Sequence, residues 1–267
     1  MKFAFGVEYD GSNFVGWQRQ TSGRTVQACM EKALSTVADE SIRTYCAGRT
    51  DAGVHATGQV IHIDTTVKRT SRSWVLGANS NLPNDISVQW AREVDTEFHA
   101  RFSAEGRTYR YIICNRMARP GLWKNKVSFV YKPLDAGLML QAARCLVGYH
   151  DFTSFRASGC QSLHSMRKVN RIDIRRSGDL LTIVIEANAF LQHMVRNVVG
   201  TLLCVGDGRK PPEWVQQVLS ARDRTVGGMT ADACGLYLTG VDYPERFGLA
   251  KAMMSHSPWM LLDAEPP

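Results

Sequence analysis

Apolar and polar residues alternate at the start of the chain, with Phe3, Phe5, Val7 and Tyr9 on one side of a two-residue period. This predicts a strand over 2–9, closed by the turn residues Asp10-Gly11-Ser12-Asn13. Val26, Met30, Ala33 and Val37 then recur at helical spacing, so residues 25–38 read as an amphipathic helix. A short strand at 42–47, a glycine-bounded bend, a strand at 58–65, a helix near 71–80 and a strand at 86–94 follow. The order strand, helix, strand, strand, helix, strand is that of the ferredoxin-like unit, an antiparallel sheet with its helices on one face.

The second half reads as a decorated echo of the first. Strands are expected at 107–115, 168–176, 180–189 and 235–242, with helices at 135–147 and 190–206 and a short one after Pro211-Pro212. The resulting fold class is α+β, with two ferredoxin-like lobes forming a mixed, mainly antiparallel sheet flanked by helices. The lobes are bounded at 1–103 and 104–246. Residues 247–267 form a tail expected to lack fixed structure, since its last twelve residues show no periodicity and end in Glu265-Pro266-Pro267.

Hydrophobic residues make up 44% of the 267 and charged residues 21%, a globular composition with no apolar run long enough to span a membrane. The first residues are apolar only until Glu8 and Asp10, too short a stretch for a signal peptide. Seven scattered cysteines, none in a Cys-x-x-Cys pair, read as reduced thiols in a cytoplasmic protein. The charge is unevenly placed. Residues 1–103 carry 11 Lys and Arg against 11 Asp and Glu, whereas residues 107–176 carry 14 against 3. Such a basic stretch points to a polyanionic partner, nucleic acid above all.

Gly48-Arg49-Thr50-Asp51-Ala52-Gly53 supplies the candidate chemistry. The two glycines let the chain bend, leaving Arg49 and Asp51 to project from it. Asp-x-Gly is also ordinary turn chemistry. An aspartate is ionised at neutral pH and so serves as acceptor or nucleophile. On the expected helix at 190–206, Gln192, His193, Arg196 and Gly200 lie opposite an apolar arc. A glycine in a helix interior costs about 1 kcal/mol relative to alanine, which suggests a close approach there and makes Arg196 a partner for the acid. On the strand at 107–115, Arg107, Tyr109 and Tyr111 share one face, with Arg110 on the other, a mixture suited to bases and phosphates. Arg167 and Lys168 open a further basic run, read as phosphate neutralisers. No histidine pair has metal-ligand spacing, and by that criterion His55, His62 and His193 are structural hydrogen-bonders. No nucleotide-cofactor fingerprint is present, so neither metal nor cofactor is expected.

Several segments together resemble the tRNA pseudouridine synthase A family. They are Tyr9-Asp10-Gly11 with Phe14 and Gly16-Trp17-Gln18; Thr25-Val26-Gln27; Gly48 to Ala56 with Gly58-Gln59-Val60; Phe98-His99-Ala100-Arg101-Phe102-Ser103; Tyr109-Arg110-Tyr111; His150 to Arg156; Met194-Val195-Arg196-Asn197; and Gly235-Leu236-Tyr237-Leu238. The resemblance implies an isomerase converting uridines 38, 39 and 40 of the tRNA anticodon stem-loop to pseudouridine, working as a homodimer without cofactor, with its active site in a cleft between lobes. It implies Asp51 as the catalytic aspartate, Arg49 as the arginine that helps displace the target base, Arg196 as the partner of the acid and Tyr109 as the tyrosine against the flipped uracil. Gln18, His55, Arg110 and Leu236 fall among the implied substrate contacts. Departures are local: Ala231-Asp232-Ala233-Cys234 replaces a segment that usually carries Ala-Pro, and Leu163, His164 and Met166 stand where Ser, Lys and Pro are usual. A non-catalytic RNA-binding module is the alternative. It explains the basic stretch but makes no use of Asp51, since an acid repels phosphate.

Overall fold

The structure, a computed structural model, describes residues 1–249, so most of the expected tail lies outside the described residues. Among these residues are ten strands and five α-helices, in an α+β arrangement. The described residues divide into two compact units, Met1–Arg107 with 237–249, and Thr108–Leu236.

In the first unit β1 (Lys2–Tyr9) leads to α1 (Val26–Ala38), β2 (Tyr45–Cys46), β3 (His55–Asp64), α2 (Ser71–Asn81) and β4 (Ile86–Val94). The strands lie in the order β4-β1-β3, with β2 paired to β3 and every one of these pairs antiparallel. This is the ferredoxin-like arrangement that the element order predicts. β10 (Leu236–Asp242) joins β3 in parallel, Tyr237 opposite His55. Phe3 and Phe5 of β1 pack on Trp74 of α2, ring centroids 5.7 Å apart in both cases, and all three are buried. The helices begin where the side chains of Thr25 and Thr70 accept from the amides of Ala28 and Ser73. The expected strand at 42–47 shrinks to two residues, because beyond Cys46 the chain turns into the glycine-bounded bend.

In the second unit β5 (Gly106–Asn115) is followed by β6 (Ser128–Val130), α3 (Ala136–Ala143), β7 (Gly148–Asp151), β8 (Met166–Ser177), β9 (Leu180–Ala187), α4 (Met194–Gly206) and α5 (Trp214–Ala221). The order is β5-β9-β8-β7, with β6 parallel to β5. β8 and β9 form the hairpin expected around Ser177-Gly178-Asp179, antiparallel, with a shift in register between Val169 and Arg171. Leu181, Ile183 and Ile185 of β9 are buried together with Met139 of α3 and Val198 and Leu202 of α4.

Two expectations for this unit are corrected. α4 starts at Met194, not 190, because His193 adopts a left-handed conformation at φ 60° and breaks the helix there. Gln192 and His193 therefore precede the helix instead of lining its polar face. The helix expected at 135–147 ends at Ala143 and tightens into a 3-10 turn over Arg144–Leu146.

Candidate active site

The bend carrying Asp51 is held from both sides by backbone and buried polar groups. Beyond β2, the Ala47 amide donates to the Val60 carbonyl at 2.8 Å. The side-chain amide of Gln59 donates to the Gly48 carbonyl at 2.6 Å and accepts from the Gly48 amide at 3.4 Å. Gly48 has ordinary backbone, contrary to the expectation that both glycines supply the sharp turn. Only Gly53 has a positive φ, 76°, where an L side chain is strained. The Val54 amide closes the turn on the Asp51 carbonyl at 3.2 Å.

The segment following β1 clamps the bend from the opposite side. Tyr9 and Thr50 share a hydroxyl hydrogen bond of 2.7 Å, both residues buried. The Trp17 amide donates to the Thr50 carbonyl at 3.0 Å, and the Gly53 amide to the Phe14 carbonyl at 3.3 Å. The two backbones run so close that a Cβ on Gly16 would sit 2.8 Å from the Thr50 carbonyl oxygen, and one on Gly11 2.0 Å from that of Val54. Glycine is required at both places by contact. Asp51 is left half-buried and Arg49 exposed, with Ala47, Thr50 and Val54 buried around them. The backbone that carries the Asp51 carboxylate is thus fixed at several points, which lowers the entropy still to be lost in ordering it.

His55 belongs to the scaffold of this loop. Its ring is 1% exposed and stacks on Tyr237 at 4.6 Å and 20°. Nδ1 accepts from the Gly11 amide at 3.0 Å, with Asp10 Oδ1 3.2 Å away. A ring this enclosed braces the loop from within. Gln18, by contrast, is exposed beside Trp17.

In the second unit, Arg196 lies half-buried in the first turn of α4. Its Nε donates to the Ala231 carbonyl at 2.7 Å, and its own carbonyl accepts from the Ala231 amide at 3.1 Å. The close approach inferred at Gly200 is real, and it is made by backbone. A Cβ on Gly200 would lie 1.7 Å from the Met229 carbonyl oxygen, and one on Gly228 2.3 Å from that of Gly200. The same crossing segment receives the Tyr111 hydroxyl on the Asp232 carbonyl at 2.8 Å. Residues 231–232, where the chain departs from the usual Ala-Pro, thus hold Arg196 and Tyr111 through main-chain atoms, which any side chain leaves in place.

The interleaved strand reads differently in three dimensions. Arg107 is buried, with guanidinium nitrogens donating to the carbonyls of Ala104, Ala47 and Arg101, so it braces loops and is not available to stack on bases. Tyr111 is fully enclosed, and burial pushes its hydroxyl well above the usual phenol range. Tyr109 is 8% exposed and meets Phe190 edge-on at 4.9 Å. Leu236 is buried at the start of β10. Arg110 lines a cavity of about 290 Å³ with Arg171, Asp173, Arg175, Thr182 and Val184. Burial pushes the Asp173 carboxyl up, but hydrogen bonds from Arg171 and Arg175, both 2.9 Å, outweigh it and hold the group below the usual range. Arg167 is buried and donates to the carbonyls of His164 and Met166 and to Ser162 Oγ, while its neighbour Lys168 is exposed. Arg167 therefore shapes the loop before β8, and Lys168 faces solvent.

The structure thus sets Arg49 and Asp51 on one braced loop, with His55 at the start of β3, where that loop ends, and Gln18 on the segment that clamps it. Tyr109, Arg110, Arg167, Lys168, Arg196 and Leu236 sit in the second unit. Sequence reasoning did not single out Tyr9, Thr50 or Gln59, although all three stand inside the motifs quoted above. Their roles depend on partners up to 41 residues away, as in the Tyr9–Thr50 pair.

The profile of a family described as tRNA pseudouridine synthase matches residues 6–103 and 142–244. Curated proteins named tRNA pseudouridine synthase A from Salmonella paratyphi B (strain ATCC BAA-1250 / SPB7) and Salmonella newport (strain SL254) are each 54% identical over 253 residues, covering 95% of this chain and 94% of theirs. Among solved structures, an H/ACA RNP bound to a substrate RNA containing 2'-deoxyuridine aligns at a TM-score of 0.36 with 11% identity, over 76% of this chain and 44% of that one. A Cbf5-Nop10-Gar1 complex aligns at 0.33 with 12% identity, over 76% and 45%.

Proposed function

Since the chain belongs to the tRNA pseudouridine synthase family, whose members are isomerases, we propose that it converts uridines 38, 39 and 40 of the tRNA anticodon stem-loop to pseudouridine, with Asp51 as the essential acid. The observation that carries this reading is the double clamp on the Asp51 loop. Ordinary turn chemistry requires neither the buried Tyr9–Thr50 bond nor two glycine-mediated backbone crossings.

The reaction breaks the N1–C1′ glycosidic bond, turns the uracil over, forms C5–C1′ and releases the C5 proton, while N1 takes up a proton. The ribose carries developing positive charge when the base departs. The Asp51 carboxylate answers that charge, by bonding to the sugar or by taking a proton from it. The base must leave its stack, which costs a few kcal/mol. Arg49, exposed beside Asp51, is assigned to the space it vacates. Tyr109 is assigned as the flat wall and proton relay at C5, and Arg196 as the guanidinium that orients the acid. Lys168 is assigned to RNA contact, as is Arg110, which is buried but lines a cavity, and Gln18 to the rim of the site. His55, Arg167 and Leu236, all buried, contribute by holding the surfaces these residues occupy. The enzyme is proposed to act as a homodimer in the cytoplasm and to need no metal or cofactor. No helix among the described residues is long and apolar enough to cross a membrane.

Mapping pseudouridine in an unmodified tRNA transcript carrying uridines at 38, 39 and 40, before and after incubation with the protein, tests the assignment. New pseudouridine at those positions is expected. Modification confined to another stem would overturn it.

A further inference from the structure

Four rings of the first unit form a continuous row. Tyr45 and His62 face each other across the β2–β3 pair and stack at 4.9 Å and 18°. His62 meets His99 at 4.6 Å, and His99 meets Phe102 at 4.3 Å and 33°. An arginine stands at each end. The Arg43 guanidinium lies 5.4 Å from the Tyr45 ring and that of Arg101 5.5 Å from the Phe102 ring. Phe102 is 76% exposed. Arg43 and Arg101 are exposed as well.

A single exposed phenylalanine is unremarkable on a protein surface. Here, however, the turn that carries it is fixed in detail. His99 Nδ1 accepts from the amides of Arg101 and Phe102 at 3.1 and 3.2 Å, and Ser103 Oγ accepts from the His99 amide at 3.0 Å. His62 Nδ1 accepts from the Ala100 amide at 3.1 Å. Phe98 is buried against Tyr243 and Phe247, and the Tyr243 hydroxyl donates to the Ala100 carbonyl at 2.6 Å. Burial holds the His62 imidazole at about 4 and lowers that of His99 as well, so the inner rings are neutral at physiological pH and behave as aromatic surface. The exposed ring is therefore presented by a rigid support.

We propose that this row is a second RNA contact, on which Phe102 stacks an unpaired base of the tRNA other than the target uridine while Arg43 and Arg101 take the flanking phosphates. Neutral rings bracketed by guanidinium groups match single-stranded RNA, whose bases need flat apolar partners and whose backbone needs cations. The row also lies near the reaction centre. Tyr45 precedes Asp51 by six residues, a chain length that spans at most about 20 Å. The occupant is tRNA because the proposal rests on the family assignment, but it does not depend on which uridine is modified.

Affinity for unmodified tRNA, measured directly alongside kcat and KM, tests the proposal with Phe102→Ala, Phe102→Trp and the pair Arg43→Gln and Arg101→Gln. Phe102→Ala is expected to weaken tRNA binding by about 5- to 100-fold, the range for losing one base–aromatic stack, and to raise KM more than it lowers kcat. Phe102→Trp should bind within about twofold of the parent, and the introduced indole should lose fluorescence as tRNA is added. The arginine pair should flatten the salt dependence of binding by about one to two in slope. Unchanged affinity in Phe102→Ala overturns the proposal. So does a loss that the indole fails to rescue, which assigns the ring to folding, or a change in sedimentation of the protein alone, which assigns it to a protein interface. If pseudouridine instead maps outside 38–40 while Phe102→Ala still weakens binding, the positional reading fails and the platform stands.

Discussion

At the scale of single residues, the chain uses buried polar groups to fix loops more than to meet solvent. His62 is the clearest case, enclosed among Tyr45, Phe98 and His99, with the charges of Lys2 and Asp64 acting on it in opposite directions. In the unfolded chain its imidazole gains a proton as the pH falls through about 6.5, whereas in the folded protein burial delays this to about 4. Between those values the unfolded state holds the extra proton, so stability declines on acidification across that window and is unaffected by this group above it. His99, lowered for the same reason, acts in the same direction. The melting temperature of His62→Gln should therefore fall less steeply than that of the parent between pH 6.5 and 4. Parallel curves would show that His62 is not held neutral. The turn at Asp51 was legible at this scale because Asp-x-Gly is turn chemistry, and Gly53 takes the positive φ it needs. The work of Tyr9, Thr50 and Gln59 was not, since a hydrogen bond spanning 41 residues leaves no local mark.

At the scale of elements, periodicity placed the long strands and helices and failed where a side chain's surroundings come from elsewhere. β5 is buried on nearly its whole length and on both faces, so the two-residue period that set Arg107, Tyr109 and Tyr111 on a common binding face carried no information about exposure. β6 and β7, of three and four residues, are too short to display a period. The first turn of the helix expected from 190 is lost to a left-handed His193, a conformation that the apolar pattern could not foretell. Gly200 was read correctly as a point of close approach, and the structure supplies the partner. Gly200→Ala gains about 1 kcal/mol of helix propensity, but its methyl would lie 1.7 Å from the Met229 carbonyl oxygen. The overpacking, with backbone on both sides, is expected to outweigh the gain and leave a net loss of about 1–3 kcal/mol. Denaturant melts showing equal or greater stability would mean that the 228–231 segment yields easily and does not hold Arg196 in place.

For the whole molecule, an uneven charge distribution and a braced carboxylate coincide in one chain. The basic stretch from 107 to 176 pointed to a polyanion, and the structure sorts its members. Arg107 and Arg167 are spent on carbonyls inside the protein, Arg171 and Arg175 share Asp173, and Lys168, Arg119 and Lys124 are exposed. Net charge along the sequence thus pointed to the nucleic-acid substrate that family membership implies, although Arg107, Arg110 and Arg167, all counted in it, are buried. The α+β class and the ferredoxin-like order of the first unit were legible because element order alone constrains them. The parallel pairing of β10 with β3 was not, because it joins residues some 180 positions apart. In the proposed mechanism, binding tRNA and isomerising its uridine are separable, the second resting on Asp51. The most direct test is release of the C5 hydrogen from tRNA labelled with tritium at uridine C5, measured for the parent and for Asp51→Asn alongside tRNA affinity. The account predicts that Asp51→Asn releases no tritium above background while its affinity stays within severalfold of the parent. Continued release at a comparable rate would contradict it.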